Sequence, residues 1–324
     1  MHSFKRVMFN GMQKLNFNPA YSVKMPLTKQ PLVSVITLNW NGTQLTCDLL
    51  RSIREQESYG PLEVIVVDND SNEDPTKAVK AAYPEAIVIR NDKNLGFSGG
   101  NNAGIRAAKG EYLFLVNNDT EFTPGLIEGL LEIFEQHPDA GMVSPKFHYF
   151  FEKGTIEYAG YHAVNIFTGR NGMIGSRQKD TGQYDEVRTT SYAHGGGMMV
   201  SRKAIEKAGL LPDEFFLYYE ELDWSVRIRK QGFKIYYQPK SLIYHKESMT
   251  TGKASPLKTF YLTRNRILFM RRNIALPGLL VFLAYFTLFT IPKNTLGFFF
   301  RKQKDHLRSF WKGIMWHFNH KIFY

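Results

Sequence analysis

The chain has 324 residues, a single cysteine (Cys47) and a net charge of +11. One cysteine excludes both a disulfide framework and a thiolate metal site, and 43% hydrophobic residues against 22% charged excludes a disordered chain. The charge is uneven: residues 251–324 hold 13 Lys/Arg against one acid, Asp305, with 16 aromatics among them, so residues 1–250 carry only −1 and the basic tail points to an anionic membrane surface rather than to nucleic acid.

Residues 1–30 carry Lys5, Arg6, Lys14, Lys24 and Lys29 without a continuous apolar run, so no secretory signal is expected there. Phe4, Val7, Met8, Met12 and Leu15 recur near helical spacing and predict a short amphipathic helix. The β-branched run 32–38 predicts a buried strand. The turn Asn39-Trp40-Asn41-Gly42 follows, and Leu45, Leu49, Leu50 and Ile53 mark a helix face. A second strand over 62–67 ends in Asp68-Asn69-Asp70-Ser71. A helix near 75–83 and a third strand over 86–90 come next. The run 94–104, with Gly96, Gly99, Gly100 and Gly104, reads as a glycine-rich turn ahead of a helix to Lys109. Residues 113–116 form a short strand that runs into Asn117-Asn118-Asp119, with Glu121 two residues on.

Strands and helices alternate with short connections, which predicts an α/β, Rossmann-like fold with a mostly parallel sheet covered on both faces. The strand ends at 39–41, 68–71 and 117–119 then share one edge and outline a cleft. Taken alone, Asn117–Asp119 suits a turn and helix cap as well as a ligand site.

Beyond the cleft, Pro124 opens a helix to Gln136, a strand is predicted over 141–147, and residues 148–193 read as loops and short strands. His194-Gly195-Gly196-Gly197 leads into another strand. A helix beginning near Glu220 places Glu220, Glu221 and Asp223 in its first turn, where the helix dipole favours acids. The aromatics at 215–219 would also wall these carboxylates in and raise a pKa. A strand over 242–245 delivers His245. In the tail, 260–272 predicts a basic helix, and 274–291 is 18 residues without a charge, short for a transmembrane span. Basic residues flank it on both sides, which suits a segment dipping into one leaflet, with a true span or a helix buried against the catalytic domain as the alternatives.

In this order and spacing, the segments 33–42, 66–71, 94–104, 116–119 and 216–227 resemble the motifs of family 2 glycosyltransferases. The nearest resemblance is to bacterial rhamnosyltransferase-like members that build surface polysaccharides. It covers residues 31–250, with weaker similarity at Thr263-Arg264-Asn265-Arg266. The resemblance implies a GT-A fold and an inverting, metal-dependent single displacement. The sugar, L-rhamnose first, with galactofuranose, glucose or mannose as alternatives, would pass from a nucleotide-diphosphate sugar to a glycan or lipid-linked acceptor.

Carried over by position, the resemblance puts Asp68 at the base and Asn39, Asn41, Asn69 and Asn117 near the nucleotide, with Gly96, Phe97, Gly99 and Asn101 covering it. Asn117-Asn118-Asp119 stands where the family carries an Asp-x-Asp metal motif. Asn117 replaces its first acid, which leaves Asp119 as the direct ligand for Mg2+ or Mn2+. His245 resembles the later histidine that completes the metal–diphosphate site. Glu220-Glu221-x-Asp223 matches the motif whose second position supplies the general base, here Glu221, with Glu220 and Asp223 as rivals.

The expected organisation is a basic extension (1–30), a GT-A domain (31–250) and a helical region (251–324). That last region would hold the enzyme, peripherally or monotopically, at the cytoplasmic face of the cell membrane. A sugar nucleotidyltransferase would need a basic phosphate loop after the first strand, and 39–43 has no Lys or Arg. A non-catalytic nucleic-acid- or membrane-binding protein would carry a basic patch without the carboxylate cluster. The run 94–104 follows the third strand and lacks the spacing of a dinucleotide fingerprint.

Overall fold

The computed structural model describes residues 30–246 and 255–319; the helix expected within residues 1–30 lies outside them. The first half alternates strand and helix: β1 (Val33–Asn39), α1 (Thr43–Gln56), β2 (Leu62–Asp68), α2 (Thr76–Ala82), β3 (Ile87–Arg90), α3 (Gly96–Ala107) and β4 (Tyr112–Val116). There follow β5 (Thr120–Phe122), α4 (Leu126–Gln136), β6 (Ala140–Tyr149), β7 (Ile156–Tyr158), β8 (Arg188–Thr189), β9 (Gly197–Ser201) and α5 (Arg202–Ala208). The chain continues through α6 (Glu220–Lys230), β10 (Lys234–His245) and α7 (Pro256–Asn273). It ends in α8 (Leu276–Phe300), which contains a π-turn at Phe286–Thr290, and α9 (Lys304–Asn319).

The sheet runs β3-β2-β1-β4-β9-β6-β10-β5, with β7 paired to β6 and β8 to β10. The expected parallel arrangement holds for β3-β2-β1-β4. The sheet as a whole is mixed, because β9 lies antiparallel between β4 and β6. Irregular chain rather than a helical crossover leads into β9, and that permits antiparallel entry. Alternation along β1 separates two cores: Val33 and Val35 pack with α1 and α4, and Ile36 packs with α3, α5 and α6. Ile267, Leu268, Phe269 and Met270 of α7 belong to the first of these cores, so it extends past residue 250.

The glycine-rich run is not the expected turn: from Gly96 onward it is helix α3. Glycine disfavours helix by about 1 kcal/mol each, but here it lets α3 lie directly on β1. A Cβ at Gly104 would come within 2.5 Å of Ile36 Cγ2, and one at Gly100 within 3.0 Å of Leu38 Cδ2. Packing has overridden propensity. Gly104→Ala is therefore expected to destabilise the protein by about 1–3 kcal/mol, read as a lower urea midpoint at unchanged slope.

Candidate active site

Parallel pairing brings the C-terminal ends of β1, β2 and β4 to one edge, with Asn39 opposite Asp68 in register. A polar network knits these ends together. The Asn39 amide donates to Asp68 (2.8 Å) and Ser71 (3.1 Å), Thr46 donates to Asn39 (2.8 Å), and Asn118 donates to Thr46 (3.0 Å). Arg90 Nε and the Ser71 N–H both donate to the second oxygen of Asp68. Asn39 and Asp68 are fully buried beneath the edge. Asn41 donates its N–H to Ser71 and accepts from the Asn72 N–H.

Above this network lies a cavity of about 430 Å³. Asn69, Gly96, Phe97, Asn117, Asp119 and His245 line it. Asp68, Asn39, Asn41, Gly99 and Asn101 are not among its lining residues. Gly99 and Asn101 sit on α3, where Asn101 donates to the Phe97 carbonyl (2.9 Å). Leu257, Lys258 and Tyr261 of α7 also line the cavity, a contribution from beyond residue 250.

Backbone register brings the metal-candidate pair together. β5 pairs with the end of β10, setting Thr120 opposite His245, and the Lys246 N–H donates to the Asp119 carbonyl (2.8 Å). His245 Nε2 lies 3.2 Å from Asp119 Oδ1, and its Nδ1–H donates to Glu157 (2.8 Å). Glu157, delivered by β7 and 3% exposed, is a site residue that sequence reasoning missed. No local motif marks it; only the pairing of β7 with β6 and of β6 with β10 brings it to His245.

Burial by itself would lower the His245 pKa. Hydrogen bonds to Asp119 and Glu157 outweigh it and hold the imidazolium up to about 10. His194, packed among Phe147, Tyr158 and Tyr161, goes the other way: burial and then the His245 charge push it down to about 3. Neutral His194 accepts the Gly196 N–H at Nδ1 (3.0 Å).

A second cavity, of about 510 Å³, shares Tyr218 and Lys258 with the first. Glu221 lines the second and not the first. Burial pushes its carboxyl up to about 7, while burial and the Glu221 charge push Glu220 well above the usual range. Each has a buried Oε2 without a hydrogen-bond partner. Asp223 is spoken for: Arg272 and Asn273 hold one oxygen (3.1 and 2.8 Å) and Arg227 the other (3.1 Å). Of the three sequence candidates for a base, Glu221 alone combines a raised pKa with a cavity.

The loop before α6 is strained. Phe216, Tyr218 and Tyr219 all have positive φ (62°, 71° and 74°), and Phe216 centres a three-residue turn in which the Leu217 N–H donates to the Phe215 carbonyl (2.7 Å). Such conformations cost about 1–3 kcal/mol each and persist only where the surroundings fix them. The α7 helix does the fixing. The Asn265 amide donates to the carbonyls of Phe215, Leu217 and Tyr218 (2.8, 2.7 and 2.8 Å), and Arg264 donates to those of Glu214 and Phe215 (2.7 and 2.6 Å). On the other side, the Phe97 N–H donates to the Phe216 carbonyl (2.6 Å), an approach that leaves no room for a Cβ at Gly96.

Comparison with known proteins adds four findings. A family model described as "Glycosyl transferase family 2" matches residues 34–209. The chain is 25% identical over 214 residues, 60% of its own length and 69% of the relative's, to an N-acetylglucosaminyl-diphospho-decaprenol L-rhamnosyltransferase of Mycobacterium tuberculosis. It is also 25% identical over 269 residues to an uncharacterized protein of Sinorhizobium fredii, of whose length it spans 29%. Among solved structures it is similar to a mannosyltransferase of Pyrobaculum calidifontis in complex with GDP-Man and Mn2+. There the TM-score is 0.57 at 17% identity, covering 91% of this chain and 77% of the other.

The clamp on the strained loop yields a test. Asn265→Ala would leave buried carbonyls unsatisfied, at about 1–3 kcal/mol for each group. The variant is expected to lose about 2–3 kcal/mol of stability in urea unfolding. A midpoint equal to that of the wild type would show that Asn265 is not what holds the loop.

Proposed function

This chain belongs to glycosyl transferase family 2 and has the GT-A fold, and from that premise we propose that it moves a sugar, L-rhamnose first, from a nucleotide-diphosphate sugar in the first cavity to a hydroxyl in the second. The observation that carries this reading is the division of labour between the cavities. Asp119 and His245 open onto one, Glu221 opens onto the other, and Tyr218 with Lys258 forms their common wall.

Glu221 would take the proton from the acceptor hydroxyl. The oxygen would then attack the anomeric carbon on the face opposite the leaving diphosphate, inverting the centre in one displacement. Asp119 and His245 would hold Mg2+ or Mn2+, a donor set that fits once the cation displaces the Nε2 proton that now lies toward Asp119. One carboxylate and one imidazole face a cavity, and Glu157 fixes the imidazole from behind, as outer-shell carboxylates do. Among the described residues no group of three or more His, Cys, Asp or Glu is arranged to hold a metal unaided, so the donor's phosphates would complete the shell. Bound there, the cation would neutralise charge developing on the diphosphate. Asn69 and the α3 N-terminus would face the nucleotide, and Asp68 would act through Asn39 and Arg90 rather than by touching it.

The acceptor in this reading is a glycan on a lipid carrier at the cytoplasmic face of the cell membrane. The 25-residue α8 supports it, since only 17% of its most apolar stretch is buried. Leu280, Leu288, Phe289, Phe299 and Phe300 are exposed along it, with Lys293, Arg301, Lys302 and Lys304 beside them. An apolar face rimmed by cations suits the interface of an anionic bilayer.

Asp119→Ala and Glu221→Gln are each expected to lower sugar transfer by at least about a hundredfold, with near-normal turnover in either one counting against its role. Because the Glu221 carboxyl titrates near 7 and must be ionised to accept a proton, transfer should rise as pH increases through about 7 and level off above. A screen of nucleotide sugars with Mn2+ identifies the donor. Leu288→Glu with Phe289→Glu should weaken sedimentation with phosphatidylglycerol vesicles severalfold; unchanged sedimentation would remove α8 from the membrane contact.

A further inference from the structure

His194 is buried and lines neither cavity, yet one short turn of chain starts from it and reaches both. The Gly197 N–H donates to the His194 carbonyl (3.1 Å), closing a β-turn over Gly195 and Gly196. Antiparallel pairing sets Gly197 opposite Val116, so the turn lies beside the strand end that carries Asn117 and Asp119. There the Asn117 N–H donates to the Gly196 carbonyl (3.0 Å). On its other side the turn meets α6. The Ala193 N–H donates to Ser225 Oγ (3.2 Å), and a Cβ at Gly195 would have Cγ, Cδ and Cβ of Glu221 as its three nearest atoms, at 3.6, 3.7 and 3.9 Å. Asn117 lines the first cavity and Glu221 the second. Packing demands glycine here: a Cβ at Gly196 would lie 2.9 Å from the His194 ring, and one at Gly197 2.9 Å from Phe147 Cζ. Three glycines in a row hold no shape of their own. The His194 side chain supplies it. Its Nδ1 accepts the Gly196 N–H (3.0 Å), its backbone N–H donates to Ser144 Oγ (2.9 Å), and the rings of Phe147, Tyr158 and Tyr161 hold the imidazole in place.

Resting on the assignment of Glu221 as the base, we propose that His194 is a positioning residue for sugar transfer: its Nδ1 latches the His194–Gly197 turn, which carries Glu221 on one side and Asn117 on the other, and so sets the reach of the base toward the donor. A misplacement of about 1 Å between reacting groups can cost about a hundredfold in rate, and a glycine turn without its latch has that freedom. The role needs an acceptor at the Nδ1 position rather than a ring. Asparagine provides one, because its Oδ1 takes the place of Nδ1, whereas leucine fills the volume and provides none. A residue that only filled the space between Phe147, Tyr158 and Tyr161 would give the opposite order, with leucine the better replacement.

Release of dTDP from dTDP-L-rhamnose with Mn2+ by the full-length chain, water standing in for the acceptor, tests this. His194→Leu is expected to lose about tenfold or more in kcat with a donor KM within about twofold of the wild type, and His194→Asn to stay within about threefold in kcat. The reverse order, or wild-type kcat in His194→Leu, would overturn the proposal. Gly195→Ala probes the contact with the base and leaves the latch alone. Gly195 has no positive φ, and the added methyl group meets Glu221 at ordinary contact distance. The urea midpoint should therefore hold, while the midpoint of kcat against pH moves up by about half a unit as the carboxylate loses water. An unmoved pH midpoint would show that the turn does not bear on the base, and this variant decides the matter even where His194→Leu folds poorly. Glu221→Gln in the same assay separates the two readings. Near-normal release there removes the base assignment and this proposal with it; loss of release there, with wild-type kcat in His194→Leu, removes the latch alone. Absence of dTDP release from the wild type would overturn both.

Discussion

The site depends on a grip between one helix and one loop. Five residues before α6, from Glu214 to Tyr218, turn four of their carbonyls toward Arg264 and Asn265. Three non-glycine residues in that neighbourhood are left-handed, a conformation the chain does not adopt unaided. Asn265 has two amide hydrogens and serves three acceptors, so the carbonyls must converge on it, and that convergence is what closes the turn. The turn in turn sets where α6 starts, and so where Glu220 and Glu221 point. Arg264 is braced by the rings of Phe260, Tyr261 and Trp316, and α9 supports α7 through the contact of His317 with the Arg264 carbonyl (2.9 Å). The C-terminal helices are therefore part of the apparatus that aims the candidate base.

Two opposite electrostatic environments sit on either side of Tyr218 and Lys258. In the first cavity the imidazolium of His245 is held between Asp119 and Glu157, so acid and base compensate each other. In the second, Glu220 and Glu221 crowd together and are driven toward the neutral form, while Arg266 remains charged by default. The protein thus lines one cavity with a carboxyl held toward its neutral form and with a guanidinium whose buried Nε has no partner among the described residues.

Much of this was legible in the sequence, for reasons that are physical. β1, β2 and β4 announce themselves as apolar runs ending in polar turns, and parallel pairing then places those ends together without further information. The acids of α6 are visible as a cluster behind four aromatics. What was not legible came from packing. The run from Gly96 reads as a turn because glycine disfavours helix; the close approach of α3 to Ile36 and Leu38 reverses that, and nothing in the run itself discloses it. The family resemblance puts Asp68 at the base; that Asn39, Ser71 and Arg90 all hydrogen-bond its carboxylate is a matter of three-dimensional placement that the strand pattern does not disclose. Glu157 stands in a stretch without pattern and becomes part of the site only through the register of three strands.

The basic tail is where composition misleads most. A net charge of +12 over 74 residues, rich in aromatics, suggests one role at one surface. The fold splits the charge by direction. Arg264, Arg266 and Arg272 turn inward, to loop carbonyls, to the second cavity and to Asp223 respectively. Lys293, Arg301, Lys302 and Lys304 stay with the partly exposed α8 and the turn that ends it. These three inward cations meet neighbours of fixed geometry and are all guanidinium, while Lys258 reaches the wall shared by the two cavities. The outward ones need only water or a surface, and three of the four are lysine. Direction in the fold thus separates populations that the net charge merges, and the inward arginines are the ones that fix the loop and the first turn of α6.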